Sequence, residues 1–139
     1  MNPRSRDAFG WTSRIDAVIF DPVGITLDEH GVPFEDAGPA LAEVAALGVK
    51  LIELNALSEE ALRKAVADAS LAPDRVICLT GTEQGIHVAR RAGVQPVLMM
   101  NDPDEAMRLT ALNPAGGIVS LLELADFIRF VETTARKDP

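Results

Sequence analysis

Three short polar segments carry the residues of this sequence that are best suited to chemistry. Asp21 opens the segment DPVGITLD, Asn55 follows the apolar run KLIEL, and Thr80-Gly81-Thr82 follows the apolar run VICL. A carboxylate can act as a nucleophile or as a base. A Gly-Thr turn ahead of a helix can either hold an anion or cap that helix. Because each segment directly follows an apolar run, those runs must position the polar side chains.

Short apolar runs alternate with helical patterns along the chain. Their lengths and β-branched content predict strands at residues 15–20, 49–54, 75–79, 96–100 and 117–119. Apolar residues recurring every three or four positions predict helices at residues 39–47, 58–69, 83–92, 102–112 and from 120 onward. The last two begin with capping-box patterns, at residues 102–105 and 120–123. The alternation predicts an α/β fold, a three-layer, doubly wound (Rossmann-like) domain with a parallel sheet of about five strands.

The three polar segments share one position relative to the predicted strands. Each lies just after the carboxyl end of a strand, which is where open parallel sheets bind their ligands. Asp21, Asn55 and Thr80 are therefore expected at the same edge of the sheet.

Composition limits the classes of function. The 139 residues, 47% of them hydrophobic, predict one domain at residues 14–135 after a flexible arm at residues 1–13. A net charge of -8 disfavours binding to nucleic acid or to anionic membranes. No apolar run approaches the roughly 20 residues that span a bilayer. With Cys78 as the single cysteine, no intrachain disulfide can form, and we expect a cytoplasmic protein.

The first polar segment and the strand before it resemble the first motif of the haloacid dehalogenase (HAD) superfamily. That motif is an apolar strand followed by D-x-D-G-T-x-x-D. Asp21 falls on the nucleophile, Gly24 on the glycine and Asp28 on the trailing aspartate. Val23 replaces the second aspartate, and Ile25 replaces the threonine.

Residues 76–93 resemble the fourth motif of the β-phosphoglucomutase-like branch of that superfamily, a strand followed by E-D-S-x-x-G-I, a helix and A-G. Gly85 matches the glycine and Thr82 stands for the serine, whereas Thr80 and Gly81 replace both acidic residues.

The remaining motifs are shorter or missing. Asn55 lies where the second motif has Ser or Thr, and the third-motif lysine has no clear counterpart. Residues 28–39 leave room only for a loop or a short hairpin, so the resemblance implies a HAD-like domain without a cap.

The resemblance also bears on chemistry. The superfamily holds Mg²⁺ with carboxylates of its first and fourth motifs, and here only Asp21 remains of that set. Magnesium prefers oxygen ligands that include carboxylates, and Val23 cannot replace the second aspartate as a general acid. We therefore expect no metal site, no cofactor and no Mg²⁺-dependent phosphatase activity.

Three hypotheses about function remain open. On the first, a degenerate HAD-like protein serves as a binding, scaffolding or regulatory protein, as a homo-oligomer or with a protein partner. On the second, the chain is a hydrolase or lyase that uses Asp21 as nucleophile or base on a small acid or phosphorylated substrate. On the third, the strand-end crevice binds a small molecule without chemistry. The predicted ligand-binding residues are Gly24, Asn55, Thr80, Gly81 and Thr82.

Each of these residues also has a structural interpretation. Asp21 could accept N–H bonds from the turn through Gly24, and Gly24 itself suits a turn with positive φ. Thr82 could simply cap a helix, and Asn55 could cap the following loop. Glu53 lies within the second predicted strand, where it could face a partner or protect an edge strand.

Overall fold

Five parallel strands form a single sheet in a computed structural model that describes residues 14–100 and 103–137. The strands are β1 (Ala17–Phe20), β2 (Lys50–Glu53), β3 (Val76–Thr80), β4 (Gln95–Met99) and β5 (Gly116–Ile118). Their order across the sheet is β2-β1-β3-β4-β5. The predicted arm at residues 1–13 lies outside the described residues.

Five α-helices connect or follow the strands. They are α1 (Ala37–Ala46), α2 (Glu59–Asp68), α3 (Glu83–Arg91), α4 (Pro103–Thr110) and α5 (Leu124–Lys137), with 3-10 turns at Pro73–Arg75 and Leu121–Glu123. Among the described residues, no helix has the length and apolar character needed to cross a membrane.

Helices cover both faces of the sheet. On one face, Phe20 packs in a cluster with Val44 of α1 and Ile128 of α5. On the other face, Ile19 packs in a cluster that includes Leu62 of α2. Because successive residues of a strand point to opposite faces, the wholly apolar β1 serves both clusters. The predicted three-layer, doubly wound α/β fold with five parallel strands is confirmed.

Capping residues define several helix boundaries. The predicted capping box at Ser120 is confirmed: its hydroxyl accepts the N–H of Leu122, and the Glu123 carboxylate accepts the N–H groups of Ser120 and Val119. These hydrogen bonds, that of Ser120 first, lower the pKa of Glu123. The pattern predicted at residues 102–105 begins at a residue outside the described ones.

Helix α1 begins earlier than the sequence predicts. Proline was expected at its first position, but the helix starts at Ala37 and Pro39 is its third residue. The N–H groups of a helix's first turn have no acceptor within the helix, so proline is tolerated there without loss of a hydrogen bond. At the other end, Gly48 follows the helix with a φ of +84°, a conformation that favours glycine after the end of a helix.

A short hairpin follows β1, in the region where no cap domain was expected. The Phe34 N–H donates to the Thr26 carbonyl at 2.9 Å, and the Asp28 N–H donates to the Val32 carbonyl at 2.8 Å. The Asp28 carboxylate accepts the N–H groups of His30 and Val32 at 2.8 and 2.9 Å. Asp28 therefore holds the hairpin turn.

Cys78 lies at the centre of β3 and is buried. Burial raises the pKa of its thiol to about 12. The thiol is therefore neutral at physiological pH, whereas a nucleophilic cysteine requires a stabilised thiolate. Cys78 is therefore a small residue of the core.

Candidate functional site

A cavity of about 190 Å³ lies at the carboxyl ends of β1 and β3. It is called the first cavity below. Asp21 directly follows β1 and Thr80 is the last residue of β3, so two neighbouring strands deliver both side chains to one place. The residues that line it are Asp21, Val23, Ile25, Leu57, Leu79, Thr80, Gly81, Thr82, Gln84 and Gly85.

A tight turn holds Asp21 in place. One carboxylate oxygen, Oδ1, accepts the N–H of Val23 at 3.0 Å. The Pro22 carbonyl accepts the three N–H groups of residues 25–27 at 2.9–3.0 Å. Gly24 has a φ of +87°, which favours glycine and confirms its predicted role in the turn. Val23 N–H accounts for one acceptor position of the carboxylate, so the carboxylate can still accept from a ligand.

Thr80, Thr82 and Gly85 pack closely on the β3 side of the cavity. The Thr82 hydroxyl accepts the Gly85 N–H at 3.0 Å and so caps α3, as one interpretation of the sequence predicted. The two threonine hydroxyl oxygens lie 3.2 Å apart, and Thr80 Oγ1 accepts the Thr82 N–H at 3.3 Å. These hydroxyls are thus largely used within the protein.

The remaining wall of the first cavity combines apolar side chains with the amide residue Gln84. Val23 stands where the HAD motif has its second aspartate, and its side chain is 60% exposed at the mouth. Ile25 and Leu57 contribute further apolar surface. A position that in the motif carries an acid therefore carries a hydrocarbon surface here.

Only part of the predicted site comes together. Asp21, Thr80, Gly81 and Thr82 line the first cavity, whereas Gly24 and Asn55 are not among its lining residues. Asn55 is exposed after β2.

Several other lining residues were not among the predicted site residues, including Leu57, Gln84 and Gly85. Gln84 and Gly85 lie in the first turn of α3, so their nearness to the predicted N-cap Thr82 was the signal available.

A second cavity, of about 220 Å³, shares the lining residue Ile25 with the first. Its walls combine apolar side chains with the Ser120 hydroxyl and one carboxylate. Asp36 occupies the N-cap position of α1 without capping it, and accepts the Ser120 hydroxyl at 3.5 Å. The residues that line this cavity are Ile25, Phe34, Asp36, Met99, Val119, Ser120 and Leu121.

The side chains of the first cavity do not fit Mg²⁺, the ion that the HAD motifs imply. Among the described residues, no three carboxylate, imidazole or thiol groups come close enough to hold a metal ion. Asp21 brings a single carboxylate, and the hydroxyls of Thr80 and Thr82 are engaged with each other and with N–H groups. Magnesium requires several oxygen ligands in octahedral geometry.

Comparison with known proteins places the fold. No protein-family model matches the sequence, and no curated protein matches it. An uncharacterized protein from Listeria monocytogenes serotype 4b matches with a TM-score of 0.65 and 13% identity, over 86% of this chain and 99% of that one. A probable YrbI-family phosphatase from Pseudomonas syringae matches with a TM-score of 0.61 and 16% identity, over 95% of this chain and 94% of that one. The cobalt-bound deoxy-D-mannose-octulosonate 8-phosphate phosphatase (YrbI) from Haemophilus influenzae matches with a TM-score of 0.58 and 14% identity, over 92% of this chain and 93% of that one. At these identities the similarity shows a HAD-like fold.

Proposed function

We propose that this HAD-like domain is a binding protein that accepts a small ligand at the carboxyl end of its sheet and carries out no Mg²⁺-dependent phosphoryl transfer. One observation carries the proposal: a cavity is present at the position of the HAD nucleophile and holds Asp21, but its other side chains are the neutral ones of Val23, Ile25, Leu57 and Gln84 and threonine hydroxyls that already hydrogen-bond within the protein. The form of a ligand site is kept, whereas the groups for phosphoryl chemistry are replaced.

Phosphoryl transfer depends on neutralising charge around the transferring group. Among the described residues no lysine or arginine lines the first cavity, and its one charged side chain is a carboxylate. Val23 cannot donate a proton to a leaving group. A regulatory or scaffolding role would then follow from ligand occupancy.

Thermal unfolding in the presence of Mg²⁺ and inorganic phosphate tests the absence of the phosphoryl-transfer site. We expect no shift of the unfolding midpoint with either at millimolar concentration, alone or together, in the wild type or in Asp21→Asn, because ligands stabilise only the state that binds them. Asp126→Asn, a substitution on the exposed side of α5, serves as the matched control. A Mg²⁺-dependent stabilisation that Asp21→Asn abolishes would contradict the proposal.

An enzymatic alternative has its own support. Asp21 lies in the cavity at the position of the HAD nucleophile, and proteins named as phosphatases share the fold. On this alternative Asp21 is the nucleophile or base of a hydrolase or lyase. Turnover of a small acid or phosphate ester by the wild type, lost in Asp21→Asn while the unfolding midpoint is kept, would favour it.

We further propose that the chain self-associates through β2. This strand lies at the edge of the sheet and has only β1 as a neighbour among the described strands. The N–H groups of Lys50 and Leu54 donate to β1-side carbonyls, so by alternation those of Leu51 and Glu53 point outward. Glu53 is exposed there, not buried, which agrees with the edge-strand interpretation.

A second copy of this strand complements the edge. In an antiparallel pair whose two-fold axis passes beside Ile52, the outward backbone N–H and C=O groups of Leu51 bond to those of Glu53 in the second copy. By symmetry, the same bonds form between Glu53 of the first copy and Leu51 of the second. The groove of about 550 Å³ between β2 and α2, mostly apolar, would lie beside the axis and be covered. Because the outward N–H and C=O groups of β2 match those of a second β2, we propose a second copy of this chain as the partner at this edge.

Light scattering coupled to size-exclusion chromatography tests this association. We expect twice the 14.9 kDa chain mass at high concentration, and a monomer for Ile52→Lys, which would set two like charges against each other at the axis. Phe130→Lys, an exposed position on α5, is the matched control and should remain dimeric. A wild type that stays monomeric at the highest soluble concentration would refute the association.

A further inference from the structure

From the two cavities that share Ile25 we infer a ligand class: a small organic cation with an apolar body, such as a primary ammonium carried on an aromatic or aliphatic group. This inference rests on the proposed ligand-binding function and names what the site selects. It excludes the phosphate dianion that the HAD motifs would suggest.

The charges that line the cavities are of one sign. The first cavity contains the carboxylate of Asp21 and the second contains that of Asp36. Among the described residues, no lysine, arginine or histidine lines either cavity. A half-buried carboxylate attracts a cation more strongly than a fully exposed one does, because the effective dielectric constant around it is lower. The same interaction repels an anion.

A basic side chain near this end of the sheet, that of Arg108, is already paired. Arg108 donates to Glu83 at 2.6 Å and to Glu105 at 2.7 Å. Its guanidinium cannot neutralise an anion in the first cavity without breaking these bonds.

Helix N-termini near the cavities favour anions, but their partial positive charges are smaller than the negative charges of the aspartates. The N-terminus of a helix carries about half a positive charge and can bind anions through its N–H groups. At α3 the Thr82 hydroxyl already accepts the Gly85 N–H. At the turn before α5, the Glu123 carboxylate already accepts two N–H groups, those of Val119 and Ser120. A full negative charge on each cavity's aspartate outweighs these partial charges.

Apolar surface lies between and beside the two carboxylates. Ile25 belongs to both cavities, with Val23 at the mouth of the first and Phe34 and Val119 in the second. Phe34 and Val119 are 41% and 65% exposed, so apolar area remains to be covered by a ligand. Val23 places apolar surface where the HAD motif has an acid. A bare ammonium ion would leave the apolar surface of these cavities exposed to water, whereas an amine with an apolar body would bury it.

Three probes of similar shape separate the alternatives: benzylammonium, benzyl alcohol and benzyl phosphate. Their binding can be measured by titration against the amide and methyl NMR signals of the full chain. We expect benzylammonium to bind at least about tenfold more tightly than benzyl alcohol, and benzyl phosphate to bind more weakly than the alcohol. The preference for the cation should shrink as salt is raised toward 1 M, because salt screens partly exposed charges.

Variants link the preference to the cavities. Asp21→Asn keeps the shape of the side chain and should reduce the preference for benzylammonium over benzyl alcohol to about twofold or less. Glu35→Gln removes a charge of the same sign from an exposed residue that lines neither cavity, and should leave the preference unchanged. Equal losses in both variants would mean that overall negative charge attracts the amine, which would overturn the inference.

The outcomes also separate this inference from the proposed function. Tighter binding of benzyl phosphate than of benzylammonium would overturn the ligand class, while the cavity would still be a ligand site. Signal changes outside residues 21–36, 79–85 and 119–121 would likewise overturn it. If none of the three probes shifts any signal of those residues at millimolar concentration, the proposed ligand-binding function itself fails.

Discussion

Replacing Phe20 by alanine is expected to lower the free energy of unfolding by about 3–5 kcal/mol, the range for truncating a buried aromatic side chain. Phe20 is 1% exposed and packs in the cluster between the sheet and helices α1 and α5. Its removal leaves a cavity that the surrounding aliphatic residues fill only in part. Domains of this kind have total stabilities of about 5–15 kcal/mol, so this one change removes a large share.

The matched control for this variant is Phe130→Ala, the same chemical change on the exposed side of α5, where the side chain is 61% exposed. We expect its effect to stay within about 0.5 kcal/mol. Urea unfolding followed by circular dichroism measures both, with the midpoint compared at a common slope. Similar losses in the two variants would mean that Phe20 does not lie in a packed core. Because Phe20 directly precedes Asp21, its loss should also weaken any binding in the first cavity.

Gly85→Ala is the second substitution expected to have a large effect. A Cβ atom at this position would lie 1.9 Å from Thr80 Oγ1 and 2.6 Å from Thr80 Cβ, and both atoms belong to a buried side chain at the end of β3. Relief requires that α3 move away from β3 or that Thr80 change its position. Such overpacking destabilises proteins by about 1–3 kcal/mol, and sometimes by more.

Gly38→Ala provides the contrast, since a Cβ atom added there meets nothing within 4 Å and the residue lies in helix α1. This substitution should stabilise the fold by about 0.4–1 kcal/mol. The clash with Thr80 is tested by a double-mutant cycle in which Thr80→Gly is combined with Gly85→Ala, and the two changes should be strongly non-additive. If the urea midpoint of Gly85→Ala equals that of the wild type, α3 does not pack closely on Thr80.

Much of the fold could be predicted because its signals are local. β1 is a short, wholly apolar run with two β-branched residues at its centre, and Thr82 and Ser120 cap helices in patterns that their side-chain chemistry dictates. Helix starts were less certain, as Pro39 shows, since any first-turn position accepts a proline. Local signals of this kind do not contain the order of strands across a sheet. The exposure of Glu53 follows from the edge position of β2, which its own sequence does not reveal.

The site residues at strand ends could be predicted from the sequence, whereas those that loops bring to the cavities could not. Asp21 and Thr80 come together because β1 and β3 are parallel neighbours whose carboxyl ends share one edge. Asn55 also follows a strand, but the course of the loop after β2 leaves it exposed and brings Leu57 to the cavity instead. The second cavity joins a hairpin residue, Phe34, to Val119 across long sequence separation, which no periodic pattern encodes.

The order of the strands has a consequence for how this protein is made on the ribosome. β1 and β2 leave the ribosome first, yet the inner side of β1 is covered only by β3, whose Val76 pairs with Ala17. The cluster around Phe20 is closed last of all, by Leu124, Ile128 and Val131 of α5. A nascent chain that ends before β3 therefore leaves one side of β1 unpaired, and one that ends before α5 leaves part of an apolar sheet face uncovered. Both features promote aggregation during synthesis, so the N-terminal strands are the part of the chain that waits longest for its partners.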